Sequence, residues 1–242
     1  MRSTLRKRLP ARGSLSRALR RDLPGRAEAP VPGPFPGRWP TVVSLVAAPL
    51  LLLAGELVKA PHHFFFPEQI AAYADHPDQL AWGYGLWLVG QLALIPAFVG
   101  LATSVARTRP VLGTATGLVC LVSVVVTGFT EGANFVLFQL ADAHSPGTAT
   151  DVVGHVYSQT SVGYVLAWTC HANWVLLAVA LLSTRVVGPV RALALALVWA
   201  HPSGVLKGFT PVGAVVLVLL CVVFVTLAVR ILRHRGRFAD TA

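Results

Sequence analysis

Charge is what this sequence has least of. Asp, Glu, Lys and Arg together make up 12% of its 242 residues, whereas a soluble domain carries about 25%. That scarcity excludes an ordinary water-exposed surface. Cysteine is equally sparse: Cys120, Cys170 and Cys221 all fall inside apolar runs, without a CxxC or CxxCH pattern. Disulfide frameworks belong to short, loop-rich secreted chains, so one is not expected here, nor is a cysteine zinc site or attached haem. HExxH, GxSxG, the Walker loop and GxGxxG are absent too. Their absence removes the motif-level case for zinc hydrolysis, serine-nucleophile chemistry and nucleotide-driven transport.

What is present is apolar sequence, with 55% hydrophobic residues and a mean hydropathy of +0.65. Six runs approach the roughly 20 residues that cross a bilayer. They cover roughly residues 41 to 60, 83 to 105, 111 to 137, 158 to 183, 190 to 206 and 211 to 232. Lipid offers backbone groups no water, so each run is expected to be a helix. The expected fold is all-α, a polytopic transmembrane helix bundle over residues 39–233. Pro40, Pro110, Pro189 and Pro211 sit at or near run starts, where a missing N–H costs nothing. Pro49 and Pro96 fall inside runs and predict kinks.

The net charge of +10 would suit nucleic acid if it were spread over a domain, but ten of the twenty Lys and Arg lie in the first 38 residues. Interspersed with Pro10, Pro24, Pro30, Pro32, Pro34 and Pro36, they predict a disordered basic cytoplasmic tail over 1–38. Residues 234–242 form a second, short basic tail. The expected partners are the lipid bilayer and, at the N-terminal tail, anionic lipid headgroups, with no nucleic acid. A twin-arginine signal at Arg20-Arg21 and a transit peptide are competing readings of the same stretch. Arginine outnumbers lysine 17 to 3 among abundant Ala, Val and Leu, as in the proteins of high-GC bacteria.

Lys and Arg near span ends stay on the cytoplasmic side. Arg107, Arg109, Arg185, Arg191, Arg230, Arg233, Arg235 and Arg237 alternate with outer segments holding Glu68, Asp75, Asp78, Asp142 and Asp151. Both termini are therefore expected inside, in a bacterial plasma membrane. Gly113 and Gly117, and Ala192, Ala196 and Ala200, are small residues four apart, which predicts close helix contact within the chain or in a homo-oligomer. No internal repeat of the kind that builds inverted-repeat transporters is visible.

Polar residues collect toward the outer side. Span three starts near Pro110, so Glu131 lies about 31 Å further along, at the outer edge of the hydrocarbon. It shares a helical face with Thr127, Asn134 and Phe138. Glu56, Lys59 and His63 share a face at the outer end of span one, and Tyr84, Trp87 and Gln91 do so in span two. Thr160, Tyr164, Trp168 and His171 form a stripe in span four, with His155 and Gln159 at its mouth and His201 near the outer end of span five. The pocket candidates are thus Glu56, His63, Gln91, Glu131, Asn134, His155, Gln159, His171 and His201.

Ionisable residues inside spans are costly and are functional candidates by default. Plainer roles compete: Glu56 and Lys59 can neutralise each other, Glu131 can be a solvated helix end, and the aromatics can be core or interface residues. His171 with His201 or His63 would suit haem, and Glu131 with His171 would suit acid–base work on a lipid-soluble substrate, but no spacing selects a cofactor or a metal.

An apolar first span ending in GELVKAP, an outer HPDQL, a second span LVGQLALIPAFVGLA followed by RTRP, and a third span ending in Glu131 resemble uncharacterised six-helix actinobacterial integral membrane proteins. The resemblance covers roughly residues 41 to 232 and implies fold and location, with no reaction. The leading expectation is binding or passage of a small molecule or ion through a pocket open to the outside. A membrane-embedded acid–base enzyme or haem/quinone protein, and a structural or assembly subunit, are the alternatives.

Overall fold

The computed structural model describes residues 35–62, 68–143, 145–159, 172–200 and 210–233. Both tails up to residue 34 and from residue 234 lie outside them, as do His63, His171 and His201. The described residues are all-helical: α1 (Arg38–Lys59), α2 (Glu68–Asp75), α3 (Pro77–Ala106), α4 (Pro110–Ala143), α5 (Pro146–Gln159), α6 (Asn173–Ser183), α7 (Pro189–Leu197) with a 3₁₀ turn Val198–Ala200, and α8 (Thr210–Arg233).

Four stretches are long and apolar enough to cross a membrane: Arg38–Lys59, Pro77–Ala106, Pro110–Phe129 and Pro211–Arg233. This is the architecture of a membrane protein. Asn173–Ser183 and Pro189–Ala200 are shorter apolar helices, and both adjoin undescribed stretches at one end. Helices α4 and α7 begin on Pro110 and Pro189, as the sequence predicts. The second long helix begins six residues earlier than its apolar run, because Pro77 starts it and Asp78 favours the first turn. Residues 68–75, and 146–159 up to the expected start of span four at 158, lie where an outer loop is expected and are helices α2 and α5.

The main packing is α1 on α3, with α4 on the other side of α3 and α8 on the other side of α1. Leu45, Ala48 and Leu52 of α1 are buried against a core that includes Leu94, Ala97, Phe98 and Leu101 of α3 and Leu217, Leu220 and Phe224 of α8. Exposed Val43, Leu50 and Leu57 recur every seven residues on α1, and Val215, Val218, Val222, Val225 and Val229 line α8. Those faces suit contact with lipid. Helix association in lipid depends on backbone approach, and here glycine allows it. A Cβ on Gly55 would stand 2.7 Å from the Gly83 carbonyl oxygen, and one on Gly90 would stand 2.9 Å from the Leu52 nitrogen. Gly113 and Gly117 close against Ala106 and Ala102, which places their small-residue contact within the chain.

Helix α3 runs through Pro96, which has no N–H to give its own turn. The Ser44 hydroxyl of α1 enters that turn: it accepts from the Ala97 N–H at 2.9 Å and donates to the Ala93 carbonyl. These are the two backbone groups of one i,i+4 turn, and a side chain inserted there is a recognised companion of helix bending. Replacing Ser44 by alanine withdraws this support from buried backbone groups, and should lower stability by about 1–3 kcal/mol. Thermal unfolding in detergent measures it; an unchanged midpoint would show that the turn closes without Ser44.

The two ends of the bundle differ in charge. Arg38 Nη2 donates to the Leu232 carbonyl at 2.6 Å and Arg230 Nη1 donates to the Val186 carbonyl at 2.8 Å. These bonds, with Thr41 against Gly100 and Gly113 against Ala106, gather the start of α1, the end of α3, the start of α4, the α6–α7 turn and the end of α8 at one end. Arg38, Arg107, Arg109, Arg185, Arg191, Arg230 and Arg233 all belong to these segments. Among the described residues, every Asp and Glu lies toward the opposite end.

Candidate functional site

At the carboxylate end, the last turn of α1 carries Glu56 and Lys59 three residues apart, on the face turned to α3. Both are buried, with relative exposures of 2% and 5%. Their Nζ–Oε2 distance is 3.7 Å, an ion pair removed from water. The Lys59 ammonium also lies 4.7 Å from the Tyr84 ring centroid and 4.5 Å from that of Trp87. Tyr84 and Trp87, one turn apart on α3, thus form two walls of an aromatic box around the cation. Gly83 supplies the groove for its stem: a Cβ there would come within 2.6 Å of Lys59 Cγ.

A second layer covers this box. Gln69 of α2 donates from Nε2 to the Tyr84 hydroxyl at 2.6 Å, and both residues are buried. Tyr84 meets Phe138 of α4 edge-on at 5.2 Å, and Tyr73 of α2 stacks on the same Phe138 at 4.0 Å with a 3° interplanar angle. The Tyr73 hydroxyl donates to Asp142 Oδ2 at 3.4 Å. Burial first, then the charge and hydrogen bond of Asp142, raise the Tyr73 phenol above its ordinary value of 10.0. Gln79 Nε2 donates to the Val58 carbonyl at 3.1 Å and ties the start of α3 to the end of α1. At the rim, the His62 and His76 rings are 4.5 Å apart.

Among the sequence-derived candidates, the structure brings together Glu56 and Lys59 with the Tyr84–Trp87–Gln91 face; Gln91 is buried one turn below Trp87. Glu131 and Asn134 lie on α4 and Gln159 ends α5, with only their backbones described. His155 is exposed on α5, which packs on α2 and α4. Comparison with protein-family models, with curated proteins and with solved structures finds no match. The chemistry must therefore be read from the residues themselves. No three His, Cys, Asp or Glu among the described residues converge as metal ligands.

Sequence reasoning missed Gln69, Tyr73 and Asp142, which close the box from outside. Their signal was the four-residue spacing of Gln69 and Tyr73 within EQIAAYAD, a short amphipathic turn of helix. Deeper in the bundle, Asn173 is 1% exposed, lies within hydrogen-bonding reach of the Cys120 thiol, and leaves its Oδ1 without a partner.

Proposed function

We propose that this chain is a six-span protein of a bacterial plasma membrane, with both termini cytoplasmic, that binds or passes a small molecule or ion at its outer end. The arginine end and the carboxylate end support that orientation, since basic residues are retained on the cytoplasmic side. In this reading α6 and α7 are parts of the fourth and fifth spans. Kinship with the six-helix actinobacterial proteins belongs to the same proposal.

One observation carries the functional part: a buried Glu56–Lys59 pair enclosed by Tyr84 and Trp87. A buried ion pair is often no more stabilising than apolar residues of similar volume. Its presence where lipid-adjacent packing would serve equally well argues for a use. A ligand carboxylate competing for Lys59, or a cation competing for Glu56 and the aromatic rings, would find both halves of its site preassembled.

A second reading has its own support. The pair is closed upon itself within one helix, which suits a structural lock of α1 on α3. The haem and acid–base readings rest on His171, outside the described residues, and nothing in the box favours them or the quinone reading.

Native mass spectrometry of the detergent-purified protein separates the two supported readings. A stoichiometric small-molecule adduct is expected on the parent and absent from a folded Glu56→Met/Lys59→Met double variant. An apo mass for the parent, with a double variant that no longer folds, would leave the lock as the account.

A further inference from the structure

Helix α6 ends in a complete Schellman motif. The Val186 N–H bonds the Leu181 carbonyl at 2.9 Å and the Arg185 N–H bonds the Leu182 carbonyl at 3.0 Å, with Val186 and Leu181 both buried. The residue between cap and staple must adopt the left-handed conformation, and Arg185 has φ 58°. Glycine is the usual occupant, because an L side chain meets a steric penalty there. This turn carries an exposed arginine instead.

Two further arginines converge on the same turn. Arg230 of α8 is anchored by its bond to the Val186 carbonyl, the residue after Arg185. Arg191, in the first turn of α7, follows the same turn on a helix that packs against α8. Neither Arg185 nor Arg191 has an ion-pair partner among the described residues, and every described carboxylate is at the other end of the bundle. Like charges held together by packing call for an anion. The turn stands beside the end of the apolar α8; with α8 across a bilayer that end reaches headgroup depth, where the anion on offer is a phospholipid phosphodiester.

We propose that Arg185 and Arg191, beside Arg230, form a binding site for the headgroup of an anionic phospholipid between the α6–α7 turn and the end of α8. This site is separate from the outer box and does not depend on it. It also differs from a diffuse basic surface, since Arg107 and Arg109 at the same end belong to the α3–α4 turn.

The test uses the full chain in phosphatidylcholine nanodiscs with and without phosphatidylglycerol, read by thermal midpoint and by phosphatidylglycerol retained in native mass spectra. The parent should retain phosphatidylglycerol and melt higher with it. Arg191→Gln and Arg185→Gly should each weaken retention roughly fivefold, as expected for loss of one headgroup-facing charge, while Arg109→Gln should not. In phosphatidylcholine alone Arg185→Gly should melt no lower than the parent, because glycine relieves the turn. Equal retention by all variants would overturn the proposal in favour of diffuse attraction, including that of the N-terminal tail. The same stabilisation by inorganic phosphate in phosphatidylcholine would overturn it in favour of a soluble-anion site.

Discussion

Replacing Glu56 by glutamine should destabilise the bundle by about 3 kcal/mol, the lower part of the range for breaking a buried ion pair from one side. The substitution leaves the Lys59 ammonium at 5% exposure with no carboxylate 3.7 Å away. Tyr84 and Trp87 still face it, at 4.7 and 4.5 Å, and their rings recover part of the loss. Removing both charges in Glu56→Met/Lys59→Met should restore stability to near the parent, since two apolar side chains of similar length need no compensation. Thermal or denaturant unfolding of the two variants in one detergent decides this. A single variant as stable as the parent would mean that water reaches Lys59; a double variant as weak as the single would mean that the aromatic box needs its cation for packing.

The second large effect is steric. In Gly55→Ala the new methyl would stand 2.7 Å from the Gly83 oxygen and 2.9 Å from the Trp87 nitrogen. Both obstacles are backbone, so no rotamer change relieves them. Helices α1 and α3 must separate or slide, at a cost of about 1–3 kcal/mol for overpacking, and the ring contacts of Lys59 are lost with the shift. Gly85→Ala is the matched control, with nothing within 4 Å of its added carbon. That variant should be neutral or up to about 1 kcal/mol more stable, the ordinary helix preference for alanine. Equal midpoints for the two variants would refute the close approach at Gly55.

Much of this was legible in the sequence because it depends on local chemistry. Apolar runs, prolines at helix starts and the three-residue spacing of Glu56 and Lys59 need no knowledge of the partner helix. The face shared by Tyr84, Trp87 and Gln91 was legible for the same reason, and all three are buried. The joining of those two faces was not. It depends on the register of α1 against α3, which Gly55, Gly83 and Gly90 set through contacts between residues far apart in the sequence. Ser44 was illegible for a similar reason: a lone serine in an apolar helix gives no sign that it serves another helix's proline. Helices α2 and α5 were hidden because their stabilising contacts, Tyr73 on Phe138 among them, come from the end of α4.

The closeness of Glu56 and Lys59 has an electrical meaning. Moving one elementary charge through a membrane potential takes about 2.3 kcal/mol per 100 mV. A carboxylate and an ammonium displaced together carry no net charge, so the field does no work on them. While the pair is intact, the box is blind to voltage. A ligand that draws one partner away would create a gating charge where none existed, and its occupancy would then depend on whether the cell is polarised.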